Sequence, residues 1–263
     1  MRILSLLILL CSCAVARPQP PTVVVDFFVD NTGKTYRLLA NDNLVLANPL
    51  GQNNFEFYDS SLGAPTSIDV SSPFAILLFY ADYGVIVVLD RTLSEVSRID
   101  LLSLESVEQP VAAARASDNG IWVFDSWDYH LKLLDERGQL RLESNDLRLE
   151  IKEAAVPDAI YVDRGRVLLH YVDAQKIGVF TNYGRFDRWV ELPAATHFGW
   201  CAPLLTGTTE AGYWTLDALQ KEARPWLLSG VEMQVQGTVK GKVVAADGGR
   251  YQLQEGGTIS FRQ

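Results

Sequence analysis

Five aspartates recur at matching places along the chain: Asp82, Asp125, Asp173, Asp217 and Asp247 each follow a short apolar run. Carboxylates brought together around one axis could hold Ca²⁺, a hard cation that takes oxygen ligands. The same residue also has a purely local use, because Asp opens a turn by accepting hydrogen bonds from the backbone just downstream. Recurrence in every copy favours the local use, since a single ion needs ligands from only a few copies. The expectation is therefore no cofactor, with Ca²⁺ the one ion the pattern allows.

Other chemistry finds little support. The three histidines are His130, His170 and His197. A zinc site wants three or four close N, S or carboxylate ligands. The chain has no HExxH or CxxC and no paired His at helical spacing, so no metal site is expected. His170 sits in the apolar run Val167 to Tyr171 and reads as a residue of the core or a central channel, whereas His130 reads as solvated beside a turn. There is no Gly-x-Ser-x-Gly elbow and no phosphate loop; the glycine pairs at 248 and 256 are turn chemistry. Glycoside hydrolysis needs two carboxylates across a cleft, and 32 acidic residues neither single out such a pair nor exclude one. No catalytic residue is assigned.

The aromatics say more. Tyr80 and Tyr83 flank Asp82, Trp127 and Tyr129 flank Asp128, and Tyr171 precedes Asp173. Large rigid rings beside acids suit protein or glycan recognition, because they supply contact area at low entropic cost. Tyr83, Trp127, Tyr129 and Asp128 are the binding-face candidates, expected to be exposed on one side of the molecule. The alternative places Tyr80 and Tyr171 inside as strand residues. Trp122, Trp189, Trp200, Trp214 and Trp226 lie near strands and read as packing between repeats.

These residues are carried by a repeat. Its clearest copy, Ala112 to Leu142, reads strand, Asn119-Gly120 turn, strand Ile121 to Phe124, a turn opened by Asp125, strand Leu131 to Leu134, and an Asp-Glu-Arg-Gly turn. Asn-Gly between apolar runs is a strong hairpin signal, because both turn positions need positive φ. Copies follow at Ala159 to Phe186, Phe27 to Gly51 and Ser67 to Leu93. Their later turns start at 48, 90, 135 and 181, spaced 42, 45 and 46 residues apart. A fifth, fainter copy sets Gly212 and Asp217 against Gly120 and Asp125, and a sixth begins at Lys242. Brief helical stretches are expected at Leu101 to Val107 and Thr215 to Glu222. Units of about 40 to 45 residues with four strands each are the signature of propeller blades. The fold expected is an all-β, six-bladed β-propeller over residues 23–263, after a short segment at 17–22. Only eleven residues separate Gly230 from Gly241, against 27 from Gly138 to Gly165, so a blade near the C-terminus should lack a strand.

Over NGIWVFDSWDYHLKLLDERGQL the chain resembles an NHL-type propeller repeat, and as a whole it resembles exported propeller-like proteins of Gram-negative bacteria. The resemblance is best over 112 to 142 and 159 to 186 and weak after 200. The usual Arg after the polar turn is absent, with Leu131 and Ile177 following directly. It implies fold and little more, since propellers host lyases, hydrolases and pure binding scaffolds.

Composition narrows the partners. The chain has 263 residues, 48% of them hydrophobic, enough to bury a core. A formal charge of -9 with no basic run argues against nucleic acid or an anionic membrane surface. Residues 1–16 read as a signal peptide: Arg2, the apolar stretch Ile3 to Leu10, then Ala14-Val15-Ala16 before Arg17. That stretch is too short to span a bilayer. Leu10-Cys11-Ser12-Cys13 also resembles a lipoprotein box that would put a lipid anchor on Cys13. Either way no internal disulfide forms, and Cys201 reads as a small strand hydrophobe. The sequence thus points to an exported, periplasmic or outer-membrane-associated protein- or glycan-binding module of the cell envelope, more non-enzymatic than enzymatic. The alternative is a propeller-type hydrolase, metal-assisted and lactonase-like or polysaccharide-active, with an Asp, Glu, Asn and His cluster on the axis.

Overall fold

The structure, a computed structural model, describes residues 23–46, 54–151, 155–220, 226–229, 242–246, 248–253 and 259–263. Residues 1–22, with Cys13 and the signal segment, and Asp247 lie outside the described residues.

Six antiparallel sheets follow one another in chain order. Blade one holds β1 (Val24–Val29), β2 (Thr35–Leu39), β3 (Leu44–Leu46) and β4 (Phe55–Phe57). Blade two holds β5 (Ser67–Asp69), β6 (Ile76–Tyr80), β7 (Val85–Leu89) and β8 (Glu95–Asp100). Blade three holds β9 (Pro110–Arg115), β10 (Ile121–Asp125), β11 (His130–Leu134) and β12 (Leu140–Glu143). Blade four holds β13 (Ala159–Asp163), β14 (Arg166–Tyr171), β15 (Lys176–Phe180) and β16 (Phe186–Glu191). Blade five holds β17 (His197–Cys201), β18 (Leu204–Thr209), β19 (Gly212–Leu216) and β20 (Trp226–Ser229). Blade six holds β21 (Val243–Ala246), β22 (Gly249–Leu253) and β23 (Ile259–Arg262). The chain is a six-bladed β-propeller whose last blade has three strands.

The middle strands carry the stability. Every residue of β6, β10 and β15 is buried, because each blade is covered on both faces by its neighbours, so these strands read as continuous apolar runs. Trp122 and Phe124 of blade three pack on Val167, Leu169 and Phe180 of blade four. Leu168 and Val179 of blade four pack on Leu205 and Trp214 of blade five. Two indoles lie over cross-strand glycines: Trp214 faces Gly207 and Trp189 faces Gly178. A Cβ on Gly207 would sit 2.1 Å from the Trp214 ring, so only glycine fits there.

Blade six closes the ring by a different device. The N–H groups of Val243 and Ala245, on the open edge of β21, donate to the hydroxyls of Thr208 (3.1 Å) and Thr206 (2.9 Å) on β18. Both threonines are fully buried, and they satisfy two donors on the inner edge of β21. Val244, Cys201, Phe27 and Val29 form the core of this junction.

Two local expectations need correction. The apolar run Trp200 to Leu205 is a hairpin, with β17 ending at Cys201 and β18 starting at Leu204 across Ala202-Pro203. That extra strand shifts the fifth copy: β19 is the third strand of its blade, not the second. The helix expected at Thr215 to Glu222 also fails, since Thr215 and Leu216 finish β19 and the Gln220 N–H turns back to the Asp217 carbonyl. A short 3-10 turn does form at Leu101–Ser103, and an unforeseen one-turn helix, α1 (Leu147–Glu150), is capped by Asp146 accepting from the Arg148 N–H. No helix among the described residues is long and apolar enough to cross a membrane.

Candidate functional site

The four recurrent aspartates among the described residues do not form one ring of carboxylates. Asp125 ends β10 and is fully buried. It accepts from the N–H groups of Glu108 (2.8 Å), Gln109 (2.9 Å) and Trp127 (3.1 Å), and from Lys132 Nζ at 2.8 Å. Burial alone would raise its pKa, but Lys132 and these N–H donors outweigh that and hold the carboxyl below its usual range. Its partner Lys132 is buried too and also meets Asp128 Oδ2 at 2.5 Å. Burial would lower the lysine, yet the two carboxylates outweigh it and raise it. Asp82, in the 3-10 turn Ala81–Tyr83, and Asp173 are instead exposed. Asp217 follows a third strand and so sits at the opposite end of its blade, beside Arg164 and accepting from the Leu219 N–H at 3.0 Å. It belongs with Asp90 and Asp135, which accept from the N–H two residues on in the same way.

Two second-strand turns carry the exposed rings. Tyr83 is 49% exposed and Trp127 65%. They flank the start of β9, because the 81–83 turn packs on β9 and the Ser126 N–H donates to the Gln109 carbonyl at 2.9 Å. Leu102 and Leu149 extend this surface, exposed by 53% and 85%. Backbone bonds tie them in: Leu101 N–H donates to Gly84, and Leu147 N–H to Tyr129. Tyr129 differs from its two companions. It adopts a left-handed φ of 60°, which turns its ring half inward, edge-on to Phe124 at 6.0 Å and 4.7 Å beneath the Arg148 guanidinium. Tyr80 and Tyr171 are buried strand residues.

Asp128, His130 and Glu143 present one ligand atom each within 4.8 Å of one another, the only such group of three among the described residues. His130 Nδ1 contacts Glu143 directly, and Lys132 already neutralises Asp128. Glu143 escapes a sequence reading because it comes from β12, opposite Lys132 of β11 in the register.

The axis holds a second set of groups that spacing along the chain does not reveal. A cavity of about 240 Å³ is lined from the first strands of five blades, with Lys242 just before β21. Asp26, Asp69 and Asp158 face it, with Tyr161 and Trp200 stacked at 4.8 Å between ring centres. Lys242 Nζ bonds Asp26 Oδ1 at 2.6 Å and lies 4.8 Å over the Phe28 ring. Burial raises the Tyr161 hydroxyl pKa, and Asp158, Asp26 and Asp69 raise it further. Behind Tyr161, whose hydroxyl lies 3.4 Å from His170 Nδ1, His170 is buried and its Nε2 has no partner. Burial pushes its pKa down to about 4, so it is neutral at pH 7. The described cavity lining has no Glu, Asn or His, unlike the cluster a lactonase-like site calls for. Burial pushes the Cys201 thiol up to about 11, which leaves it protonated and packed as an apolar group.

No family model and no curated protein matches the sequence. Solved structures do match. Its fold is similar to that of streptogramin B lyase. That match has 13% identity and a TM-score of 0.58, covering 94% of this chain and 85% of the other. A catalytically inactive virginiamycin B lyase from Staphylococcus aureus, solved with quinupristin, matches at 12% identity and a TM-score of 0.56, covering 92% and 84%. A chain of a nidogen/laminin complex matches at 14% and 0.52, covering 78% and 79%. At such identities the likeness shows the propeller fold alone, which hosts unrelated activities.

Proposed function

We propose that this protein is a non-enzymatic binding or assembly module of the bacterial cell envelope, periplasmic or outer-membrane associated. It takes an envelope protein or glycan on the end of the propeller that carries the second-strand turns. The observation behind this reading is the exposure of Trp127 and Tyr83 on adjacent blades, flanked by Leu102 and Leu149. Exposed aromatic anchors with aliphatic neighbours and a polar rim are the usual make-up of a recognition patch. Asp82 and Asp128 supply the polar rim beside the two rings. The formal charge of -9 fits such a partner better than nucleic acid. The nidogen/laminin structure offers one propeller of this shape in a protein complex. The test is capture from envelope extract by the immobilised protein, read by mass spectrometry. Components retained by the wild type and released by Trp127→Ala are expected; identical retention would overturn the reading.

A further inference from the structure

We propose that the axial cavity is a binding site for a small organic cation, a primary ammonium on a flat apolar body. This site lies at the centre of the ring, where Asp158 reaches it from beside the second-strand turn of blade four. Its shape begins with β9, where Ala113 presents a small side chain to the cavity from the inner strand of blade three. On the next two blades, Tyr161 of blade four and Trp200 of blade five stack with their planes only 18° apart. The two stacked rings line one wall of the cavity. A cavity of about 240 Å³ falls below the roughly 300–1,000 Å³ of drug-sized sites, so it suits a small molecule.

The charges are arranged for a cation. Asp26 is neutralised by Lys242 at 2.6 Å. Neither Asp69 nor Asp158 is in such an ion pair among the described residues, although the charge of the buried Arg115 acts on Asp69. Asp69 accepts only backbone N–H groups, from Ser71 and Arg115, both at 2.8 Å. Asp158 Oδ2 accepts the Val172 N–H at 2.7 Å, and its Oδ1 has no hydrogen-bond partner among the described residues. An ammonium at Asp158 would make a charge-assisted hydrogen bond and lie beside aromatic faces that attract cations. A bare metal ion fits less well. The described groups that bring three ligand atoms within 4.8 Å do not include these aspartates, so their carboxylates are too dispersed to coordinate one ion, whereas an extended amine can reach one of them while covering the wall.

Titration calorimetry on the full chain tests this with phenethylamine, its neutral analogue 2-phenylethanol, and the anion 3-phenylpropanoate. Phenethylamine is expected to bind, the alcohol at least roughly tenfold more weakly, and the anion not at all, since one charge-assisted bond is worth about a factor of ten or more. Asp158→Asn keeps an oxygen for the Val172 N–H, and should weaken the amine by a similar factor without moving the melting temperature. Failure of millimolar phenethylamine to bind would overturn the proposal. So would an alcohol that binds as well as the amine, a comparison needing no variant, or an Asp158→Asn protein that binds the amine unchanged.

Discussion

Trp127 and Trp214 stand on blades three and five, the first in the polar turn Asp125 to Asp128 and the second in the apolar run Gly212 to Leu216. Both lie within a few residues of an aspartate and another aromatic. Yet Trp214 is fully buried over Gly207, with its Nε1–H donating to the Ala194 carbonyl at 3.3 Å, while Trp127 is 65% exposed. The difference lies in the neighbours. Trp214 sits within a strand sandwiched by blade four, whereas Trp127 sits in a turn beyond the end of β10. Burial marks a ring as structural, and exposure at adjacent turns marks it as available to a partner.

The largest expected effect lies on the buried side. Trp214→Ala should cost about 3–5 kcal/mol, as large core truncations do, and denaturant unfolding will show it. If it costs under 1 kcal/mol, the packing contrast is wrong.

His170 sharpens the contrast through pH. Its pKa falls from 6.5 in the unfolded chain to about 4 in the fold. A depressed value means the unfolded state binds the proton more readily. The stability from the neutral ring is therefore complete above pH 6.5 and is lost as the pH falls to about 4, an amount on the order of 3 kcal/mol. His170→Phe should flatten that part of the stability profile relative to the wild type. Parallel acid profiles for the two proteins would show that the imidazole is not held neutral by burial.

Tyr129 falls between the two populations. Losing its edge contact with Phe124 and its place under Arg148 should cost about 1–2 kcal/mol in Tyr129→Ala. A loss near zero would move it to the exposed set, and one above 3 kcal/mol to the core.

The sequence reading succeeds and fails for identifiable reasons. Ile76 to Tyr80, Ile121 to Phe124 and Val167 to Tyr171 stand out because strands covered on both faces are unbroken apolar runs ended by Asn-Gly or Asp turns. The short distance between Gly230 and Gly241 signals a missing strand in blade five or six, and the structure places it in the last blade. Asp217 aligns with the wrong strand in the sequence because the Ala202-Pro203 turn between β17 and β18 hides inside an apolar run. The fate of Asp125 turns on Lys132, seven residues on, whose burial no local pattern signals. The axial cavity was illegible for a topological reason: Asp26, Asp69, Asp158, Tyr161 and Trp200 come from four blades and share no spacing. Tyr83 and Trp127 were legible because each adjoins a turn that the repeat itself defines.

The smallest expected effect on stability carries the functional claim. Tyr83→Ala and Trp127→Ala should each change stability by no more than about 0.5 kcal/mol, as exposed substitutions do. Loss of an aromatic anchor at a binding interface typically costs about 2 kcal/mol or more. The decisive measurement is the amount of envelope material held by immobilised Trp127→Ala relative to the wild type, at matched loading and with matched melting temperatures. The account predicts that the components captured by the wild type drop at least roughly tenfold on the variant. Equal capture by the two proteins would contradict it and remove the second-strand turns as the working face.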